Sequence, residues 1–492
     1  MRLLSRFHPS PYLAPAVLLL AGCAPSVRLP APDIAVPQAF EPRAAGAMTA
    51  AQATPVVLDR WWTDFSDPQL AELVTTALDR STTIRLAYAR LSEARATRLN
   101  SRSAALPTGS LSGSATEQGT QRLWKNGATT PGQDSYVASF SPSWEIDLFG
   151  RLDAIRDRAD VNFTSSAFDY EGVRLALAAD VASSLFQARY LLAQLETARE
   201  SLKIAQELAA TGRLGFERGL TSAQDAARLN ADESSAAAEV TRLTAELNVA
   251  KRSLLILIGT PNAATDSLPI TSALGAPPAL PAATPGVLLT RRPDVRSAEL
   301  GLQAATLTVK IDRLALFPRF TIQPGIGLSA YGNSSLTAPS GGTGIWSIAA
   351  GMAMPILDRA RLLSQMRISE ARGQQAVVTY EQIVQNAYGE AENALSRVVA
   401  DTSRAADLTR AASQSAIAFE TARRGYRAGL TDLTTLLQIQ RTWIQARNAR
   451  DAARLALLTD SVAAIRALGG GWDASRFADS ALQAIQTSGT NP

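Results

Sequence analysis

The chain has 492 residues, with 48 lysine and arginine residues against 44 aspartate and glutamate residues, and its formal net charge of +4 gives no reason to expect nucleic acid as a partner. It contains one histidine, His8, and one cysteine, Cys23. Because both lie near the N-terminus, the rest of the chain lacks the side chains for Cys/His nucleophiles, Ser-His-Asp triads and histidine-ligated metals. We therefore expect a protein that is not an enzyme and has neither cofactor nor metal centre.

Residues 1–22 have the order of a bacterial export signal, with basic residues, a short apolar run and small residues before Cys23. The motif Leu20-Ala21-Gly22-Cys23 resembles a lipoprotein cleavage site and predicts Cys23 as the lipidated first residue of the mature chain. An ordinary signal peptide with a chance cysteine is the alternative. Ala24 follows instead of the aspartate that favours inner-membrane retention, so we expect an outer-membrane anchor. The Pro- and Ala-rich stretch 23–59 is predicted to be an extended tether.

The rest of the chain is an internal duplication. Residues 78–107 align without a gap to 289–318, and 211–221 (TGRLGFERGLT) align to 421–431 (TARRGYRAGLT). A period near 210 is too long for a solenoid unit. We predict a first repeat over 60–260, a Pro/Ala-rich linker over 261–288, a second repeat over 289–471 and a C-terminal tail over 472–492.

Helices are predicted to dominate both repeats. Asp67-Pro68 opens a helix that runs to Leu78, and a second covers 84–105. Tracts without proline then favour long helices over 151–211 and 357–423. The first of these would measure roughly 90 Å at about 1.5 Å per residue, which predicts an elongated coiled tube or rod.

Each long helix is predicted to turn at a repeated Gly-Leu-Thr. Gly219 and Gly429 suit the left-handed position after a helix end. Thr221 begins a capping-box pattern for the first returning helix. The second copy lacks that box, and Asp432 is expected to cap there instead.

Two short segments per repeat alternate polar and apolar residues and are predicted to be strands, at about 107–118 and 134–147 and at about 318–331 and 344–356. Their length, near ten residues, is what a tilted strand needs to cross a bilayer. Soluble β-hairpins are the alternative. Four strands cannot close a barrel, since about eight are needed even for a filled one. A homotrimeric channel of three copies is the simplest assembly with a lumen.

Four motifs carry a resemblance to a known family. They are the segment 61–70 (WWTDFSDPQL), 144–151 (WEIDLFGR), 291–299 (RRPDVRSAE) and Phe317-Pro318. With the duplication and the lipoprotein motif, they resemble the outer-membrane efflux lipoproteins of the TolC/OprM/NodT type over nearly the whole mature chain. The first repeat departs mildly, because 81–84 lacks the Asn-x-Asp-Leu type of sequence.

The resemblance implies a mainly α fold with a membrane β-barrel. Three copies would form a barrel of twelve strands in the outer membrane, continuous with a periplasmic α-barrel of twelve helices. The implied function is the exit duct of a tripartite efflux system for drugs or other small solutes. Its implied partners are a periplasmic adaptor and an inner-membrane pump, usually proton-driven. An outer-membrane channel for type I protein secretion and, less favoured, a periplasmic coiled-coil adaptor are the alternatives.

A closed duct must narrow somewhere, and the hairpin turns are the expected place. Residues near the two turns are predicted to form this periplasmic gate: Arg218, Asp225, Arg423, Tyr426, Arg427 and Asp432. The turn residues themselves are predicted to contact the adaptor: Gly219, Leu220, Thr221, Gly429, Leu430 and Thr431. The alternative for each gate residue is a solvated helix end. The family resemblance implies an acidic ring near the turn, but the last returning helix departs: Thr435 stands opposite Asp225 in the repeat, and Gln438 follows a turn later. A weaker acidic ring is therefore expected, and Asp225 with Asp432 would have to carry it.

Overall fold

A computed structural model describes residues 29–34, 40, 58–120, 130–280, 286, 290–333 and 341–471. Cys23, the export signal and the tail over 472–492 lie outside this part of the chain. The main elements, in chain order, are α1 (Pro68–Arg80), α2 (Thr82–Ser103), β1 (Thr108–Thr120), β2 (Thr130–Ile146), α3 (Arg151–Glu217), α4 (Ala223–Leu257), α5 (Pro293–Leu314), β3 (Arg319–Asn333), β4 (Gly341–Ala353), α6 (Arg359–Arg427) and α7 (Leu433–Ala467).

The element order repeats, as the duplication predicts. Helix α2, strands β1 and β2, and helices α3 and α4 are followed by α5, β3, β4, α6 and α7 in the same sequence. The long helices α3 and α6 have 67 and 69 residues. Both run further toward the turns than predicted, because the internal glycines Gly212, Gly215 and Gly425 lie within them rather than ending them. None of the helices in the described ranges is long and apolar enough to cross a membrane.

The strands form one antiparallel sheet in the order β1-β2-β3-β4. The prediction for the last strand, 344–356, is wrong at its end: β4 stops at Ala353, two residues before Pro355, which has no N–H for a strand ladder. The second strand also begins earlier than predicted, at Thr130 instead of Asp134.

The register separates two faces of the sheet. Leu111 pairs with Phe140, Trp144 with Ile322, and Ile326 with Trp346, so large apolar side chains share one face. The alternate positions carry mostly hydroxyl and other small residues, among them Ser112 and Ser139, whose hydroxyl oxygens are 2.9 Å apart.

The described residues fall into two compact units. One contains the described residues that lie within 1–32, 92–165 and 298–380. The other contains the described residues that lie within 33–91, 166–297 and 381–492. The core of the second unit contains Trp61, Phe65, Leu70, Val181, Phe186, Leu254 and Ile465. The apolar residues of segment 61–70 thus begin the core into which both repeats pack.

Packing at the ends of the returning helices confirms the internal alignment. Gly259 follows α4 with a φ of +79° and Gly469 follows α7 with a φ of +75°. A Cβ at Gly259 would lie 2.6 Å from the carbonyl oxygen of Arg80, and one at Gly469 would lie 2.8 Å from that of Arg291. Both positions therefore need glycine for their backbone conformation and for the close approach of an equivalent arginine backbone.

Candidate functional site

The turns that join α3 to α4 and α6 to α7 have the same backbone geometry. Gly219 and Gly429 have φ values of +72° and +75°. The Leu220 N–H donates to the Gly215 carbonyl at 2.8 Å, and the Leu430 N–H donates to the Gly425 carbonyl at 2.8 Å. This hydrogen bond, across six residues and with a left-handed glycine, defines a Schellman motif. The predicted left-handed position of both glycines is confirmed.

Each turn needs a second glycine, Gly215 or Gly425, which the sequence analysis did not predict. A Cβ at Gly215 would overlap the hydroxyl of Thr221, and one at Gly425 would overlap the hydroxyl of Thr431. The available signal was the full repeat Gly-x-x-x-Gly-Leu-Thr, in which the first glycine and the threonine recur together. Thr221 and Thr431 therefore pack back against their own helix ends.

The returning helices begin with side-chain caps. The prediction that Thr221 caps α4 is wrong, because Ser222 holds that position: the Asp225 N–H donates to its Oγ at 3.0 Å, and Oγ donates to Asp225 Oδ2 at 2.7 Å. The Thr221 hydroxyl does not cap α4, because it packs on Gly215.

The second cap is the predicted one. Asp432 Oδ1 accepts from the Thr435 N–H at 2.9 Å, and Oδ2 accepts from the Thr435 hydroxyl at 2.6 Å. These hydrogen bonds, first from the hydroxyl and then from the N–H, lower the pKa of Asp432.

The six gate candidates do not form one cluster in a single chain. Among the described residues, no hydrogen bond or ion pair joins any two of them. Arg423 pairs with Glu420 on its own helix at 2.9 Å. Tyr426 is half-buried against the cluster that contains Phe419 and Trp443.

Arg427 is the gate candidate that contacts another long helix. Its Nη2 on α6 lies 3.7 Å from Glu207 Oε2 on α3. Two further ion pairs join α7 to the first hairpin, from Arg447 to Glu200 at 2.5 Å and from Arg441 to Asp232 at 3.8 Å. Within one chain, the two helical hairpins are therefore connected by charged contacts as well as by the apolar clusters.

The turn residues predicted to meet the adaptor are accessible. Leu220 and Leu430 are 80% and 85% exposed, although they are large apolar side chains. Phe216, on the last turn of α3, is 51% exposed. Exposed apolar side chains at the end of a helical hairpin are a feature of protein–protein contact sites.

The arginine of segment 291–299 has a structural role in the second unit. Arg292 is buried and donates to Asp294 Oδ2 at 2.6 Å, to Glu390 Oε2 at 2.7 Å and to the carbonyl oxygen of Ala467 at 3.3 Å. It thus satisfies one of the last carbonyls of α7. Burial alone would raise the pKa of Asp294, but the hydrogen bond and charge of Arg292 outweigh it, and the pKa is lowered.

The first repeat lacks that arginine. Ser81, which aligns with Arg292, is 1% exposed and accepts from the Thr83 N–H at 3.3 Å. Another arginine, Arg189, binds Asp67 and Gln69 instead.

The motif over 144–151 fixes the passage from β2 into α3. Asp147 accepts from the backbone N–H groups of Arg151 and Asp153, both at 2.8 Å, and so caps the helix. The Arg151 guanidinium donates to both oxygens of Glu145, at 2.7 and 2.9 Å. The Trp144 ring N–H donates to the Ala105 carbonyl at 3.1 Å. These contacts hold the end of β2 to the start of α3.

The N-terminal segment follows helix α6. A Cβ at Gly373 would lie 2.8 Å from Leu29. Further along, the Asp33 N–H donates to Glu381 Oε1 at 2.8 Å, and Phe40 stacks on Tyr388 with ring centroids 5.9 Å apart. The order of these contacts shows that the chain approaches the start of α6 as it runs back toward its N-terminus.

Comparison with known proteins identifies relatives along both repeats. A family model described as outer membrane efflux protein matches residues 73–260 and 284–470. The pyoverdine export outer membrane protein OpmQ of Pseudomonas putida is 29% identical over 470 residues, which cover 94% of this chain and 97% of that protein. The cation efflux system protein CusC of Escherichia coli O6:H1 is 27% identical over 455 residues, with coverage of 92% and 97%.

Solved structures agree with this assignment. The outer-membrane channel OprN has a TM-score of 0.79 and 28% identity, covering 92% of this chain and all of that one. A crystal structure of CusC has a TM-score of 0.74 and 26% identity, covering 91% and 99%. The predicted TolC-type fold is confirmed. The chain belongs to the outer membrane efflux protein family, whose members are transport channels and not enzymes.

Proposed function

We propose that this chain is the outer-membrane exit duct of a tripartite efflux system. The observation that carries this proposal is a sheet with one apolar face and one hydroxyl-rich face, whose strands continue into long helical hairpins. An apolar outer face and a polar inner face are what the wall of a membrane barrel requires. The helical hairpins would then form the periplasmic tunnel.

Three copies would complete the barrel. In the four-stranded sheet, β1 and β4 are the outermost strands, each with one edge unpaired among the described residues. Lipid does not tolerate an open edge, so β4 of one copy is proposed to pair with β1 of the next. Three such copies supply twelve strands. Native mass measurement in detergent should find a trimer, and a stable monomer that conducts ions would contradict the assembly.

The names of the relatives support a small solute as the cargo. OpmQ is named for pyoverdine export and CusC for cation efflux, so small solutes are the proposed cargo. Neither name points to protein secretion, and no described residue favours that alternative. We propose a periplasmic adaptor that docks on Leu220 and Leu430 and an inner-membrane pump, which we expect to be proton-driven.

Deletion and complementation test the duct function. Loss of the gene should raise accumulation of exported solutes in the cell, and the full chain should restore export. The double variant Leu220→Asp and Leu430→Asp should assemble normally but fail to restore export, because it cannot dock the adaptor. Unimpaired export in the deletion strain would contradict the proposal.

The position of the N-terminal segment supports lipidation at Cys23. Leu29 contacts α6 at Gly373, which lies 14 residues after the helix start at Arg359. That distance is about 21 Å along the helix at about 1.5 Å per residue. The six residues from Leu29 back to Cys23 span at most about 20–22 Å when extended. An acyl chain on Cys23 could therefore reach the level where α6 follows β4, at the membrane end of the helices. Cys23→Ser should abolish acyl labelling.

The gate at the hairpin turns also remains a proposal. Arg427 and Tyr426 are the favoured pair, since Arg427 lies near Glu207 on α3 and Tyr426 packs against an apolar cluster that joins α3, α6 and α7. The Asp225 carboxylate accepts from the hydroxyl of the capping residue Ser222, and Asp432 itself caps α7, so both are expected to act mainly on helix starts. Arg218 is exposed at the first turn.

Conductance tests this gate. Because one exposed ion pair contributes only about 0–1 kcal/mol, closure must depend on several contacts repeated around the trimer. Replacing Arg427 and Tyr426 together with Ala should raise single-channel conductance and make cells permeable to large antibiotics. Arg424→Ala is the matched control, because Arg424 is not a gate candidate and its carboxylate partner, Glu420, lies on its own helix. Unchanged conductance of an assembled double variant would locate the constriction elsewhere.

A further inference from the structure

Two carboxylates face each other at the ends of β1 and β2 remote from the helices. Glu117 and Asp134 are paired in the antiparallel register. Their side chains therefore leave the same face of the sheet, with Cβ atoms about 4.5–5.5 Å apart. This is the face that carries Leu111 and Phe140. Like charges directly opposite each other destabilise a strand pair, so this arrangement needs a compensating interaction.

The compensating group is absent from the described residues. Asp134 is 0% exposed, and neither of its carboxylate oxygens has a hydrogen-bond partner. Tyr136, two residues along the same strand, has a buried hydroxyl that also lacks a partner. Tyr136 and Asp134 are two residues apart on β2 and so share the face to which Glu117 points, and both carboxylates act electrostatically on the Tyr136 hydroxyl. An ionised carboxylate is stable in a buried site only when paired or bound to a cation.

We propose that Glu117 and Asp134 bind a divalent cation of the Ca²⁺ or Mg²⁺ type. These hard cations take carboxylate oxygens as ligands and complete their coordination with water. One such ion carries the charge that balances two carboxylates. The Tyr136 hydroxyl would donate to a carboxylate oxygen or to a bound water. With two carboxylates only, the affinity should be weak, with a dissociation constant on the order of 10⁻⁴–10⁻³ M.

Two other forms of neutralisation compete with a cation. The carboxyl groups could share a proton, as like carboxyl pairs do when they cannot both ionise. Alternatively, a basic side chain from the connection between β1 and β2 could supply the charge, and Arg122 and Lys125 lie there, outside the described residues. Neither alternative creates a metal-binding site. The proposal also does not depend on the transport function.

Terbium luminescence provides the test, because Tyr136 would act as an excitation donor beside the ion. Tb³⁺ added to the full-length protein in detergent should give saturable emission that Ca²⁺ displaces. Asp134→Asn and Glu117→Gln should each weaken binding by about tenfold or more, since each removes one of two charged ligands. Glu145→Gln is the matched control, because Glu145 lies on the same strand but is bound to Arg151.

A second measurement covers variants that assemble poorly. Ca²⁺ should raise the thermal unfolding midpoint of the unmodified protein, and a chelator should reverse this. Tyr136→Phe should lose most Tb³⁺ emission but keep the Ca²⁺ effect. No saturable Tb³⁺ emission, or no Ca²⁺ effect on the midpoint, would overturn the proposal in favour of a shared proton or a basic side chain. If Asp134→Asn left the Tb³⁺ emission unchanged, the ion would be bound by other surface carboxylates and the proposal would be wrong.

Discussion

Replacing Asp460 with asparagine should remove a pH dependence of stability from the hairpin formed by α6 and α7. Asp460 on α7 and Asp401 on α6 share a hydrogen bond between their carboxyl groups. Asp401 is only 9% exposed. Burial, that hydrogen bond and the charge of Asp401 raise the pKa of Asp460 to about 6, although the nearby Arg397 acts in the opposite direction.

The first repeat has apolar residues at the positions that correspond to Asp401 and Asp460. With the 210-residue offset that relates Gly259 to Gly469, Asp401 corresponds to Leu191 and Asp460 to Ala250. Leu191 is buried, and Ala250 packs against the same apolar cluster. The second repeat therefore replaces an apolar contact between two helices with a pair of carboxyl groups.

The sign and size of the effect follow from the raised pKa. Because the folded pKa exceeds the ordinary value of 3.8, the folded state holds a proton that the unfolded state releases between those values. Stability is therefore highest below about pH 4 and is lost as the pH rises through about 6. A shift of about two units corresponds to a ceiling of about 3 kcal/mol. Asp460 is half-exposed, so solvent screening reduces our expectation to about 1–2 kcal/mol per chain.

Unfolding of the detergent-solubilised protein by denaturant, measured below about pH 5 and above about pH 7, should reveal this difference. Asp460→Asn should flatten the pH dependence, and so should the double variant Asp401→Leu with Asp460→Ala, which installs the residues of the first repeat. Asp407→Asn is the matched control, since Asp407 is an exposed carboxylate paired with Arg410 on the same helix. If Asp460→Asn kept the pH dependence of the unmodified protein, the reasoning from the carboxyl pair would be refuted.

Three further predictions concern stability and docking. Arg292→Ala should lower the free energy of unfolding by about 1–3 kcal/mol, because it leaves the Ala467 carbonyl oxygen and the half-exposed carboxylates of Asp294 and Glu390 without their donor. Arg410→Ala on the surface should change it by less than about 1 kcal/mol, and denaturant unfolding compares the two. Gly425→Ala should destabilise the turn by about 1–3 kcal/mol through overlap with Thr431. Its control, Gly389→Ala, meets no atom within 4 Å and should gain up to about 1 kcal/mol of helix propensity. The variant Leu220→Asp with Leu430→Asp should keep its unfolding midpoint but lose crosslinking to the adaptor, and unchanged crosslinking would exclude the turns as the docking site.

The amino-acid sequence determined the features that depend on local pattern. Apolar periodicity and the absence of proline gave the long helices, alternation of apolar and polar residues gave four strands, and the repeated Gly-Leu-Thr gave both turns with their left-handed glycines. These features are set by interactions between residues a few positions apart. The internal duplication reinforced each of them, because a pattern seen twice at one offset is rarely accidental.

Contacts between distant segments, and the choice between neighbouring residues with similar patterns, were decided only by the tertiary structure. Thr221 fits a capping pattern, yet Ser222 caps α4, because the hydroxyl of Thr221 packs on Gly215. Nothing in the segment 291–299 indicates that Arg292 reaches Glu390 and the end of α7. The sequence likewise does not show that Asp134 faces Glu117 or that Asp460 faces Asp401. A carboxylate looks the same in sequence whether solvent or another carboxylate lies beside it. Burial and charge pairing are properties of packed surfaces, and only the folded chain brings those surfaces together.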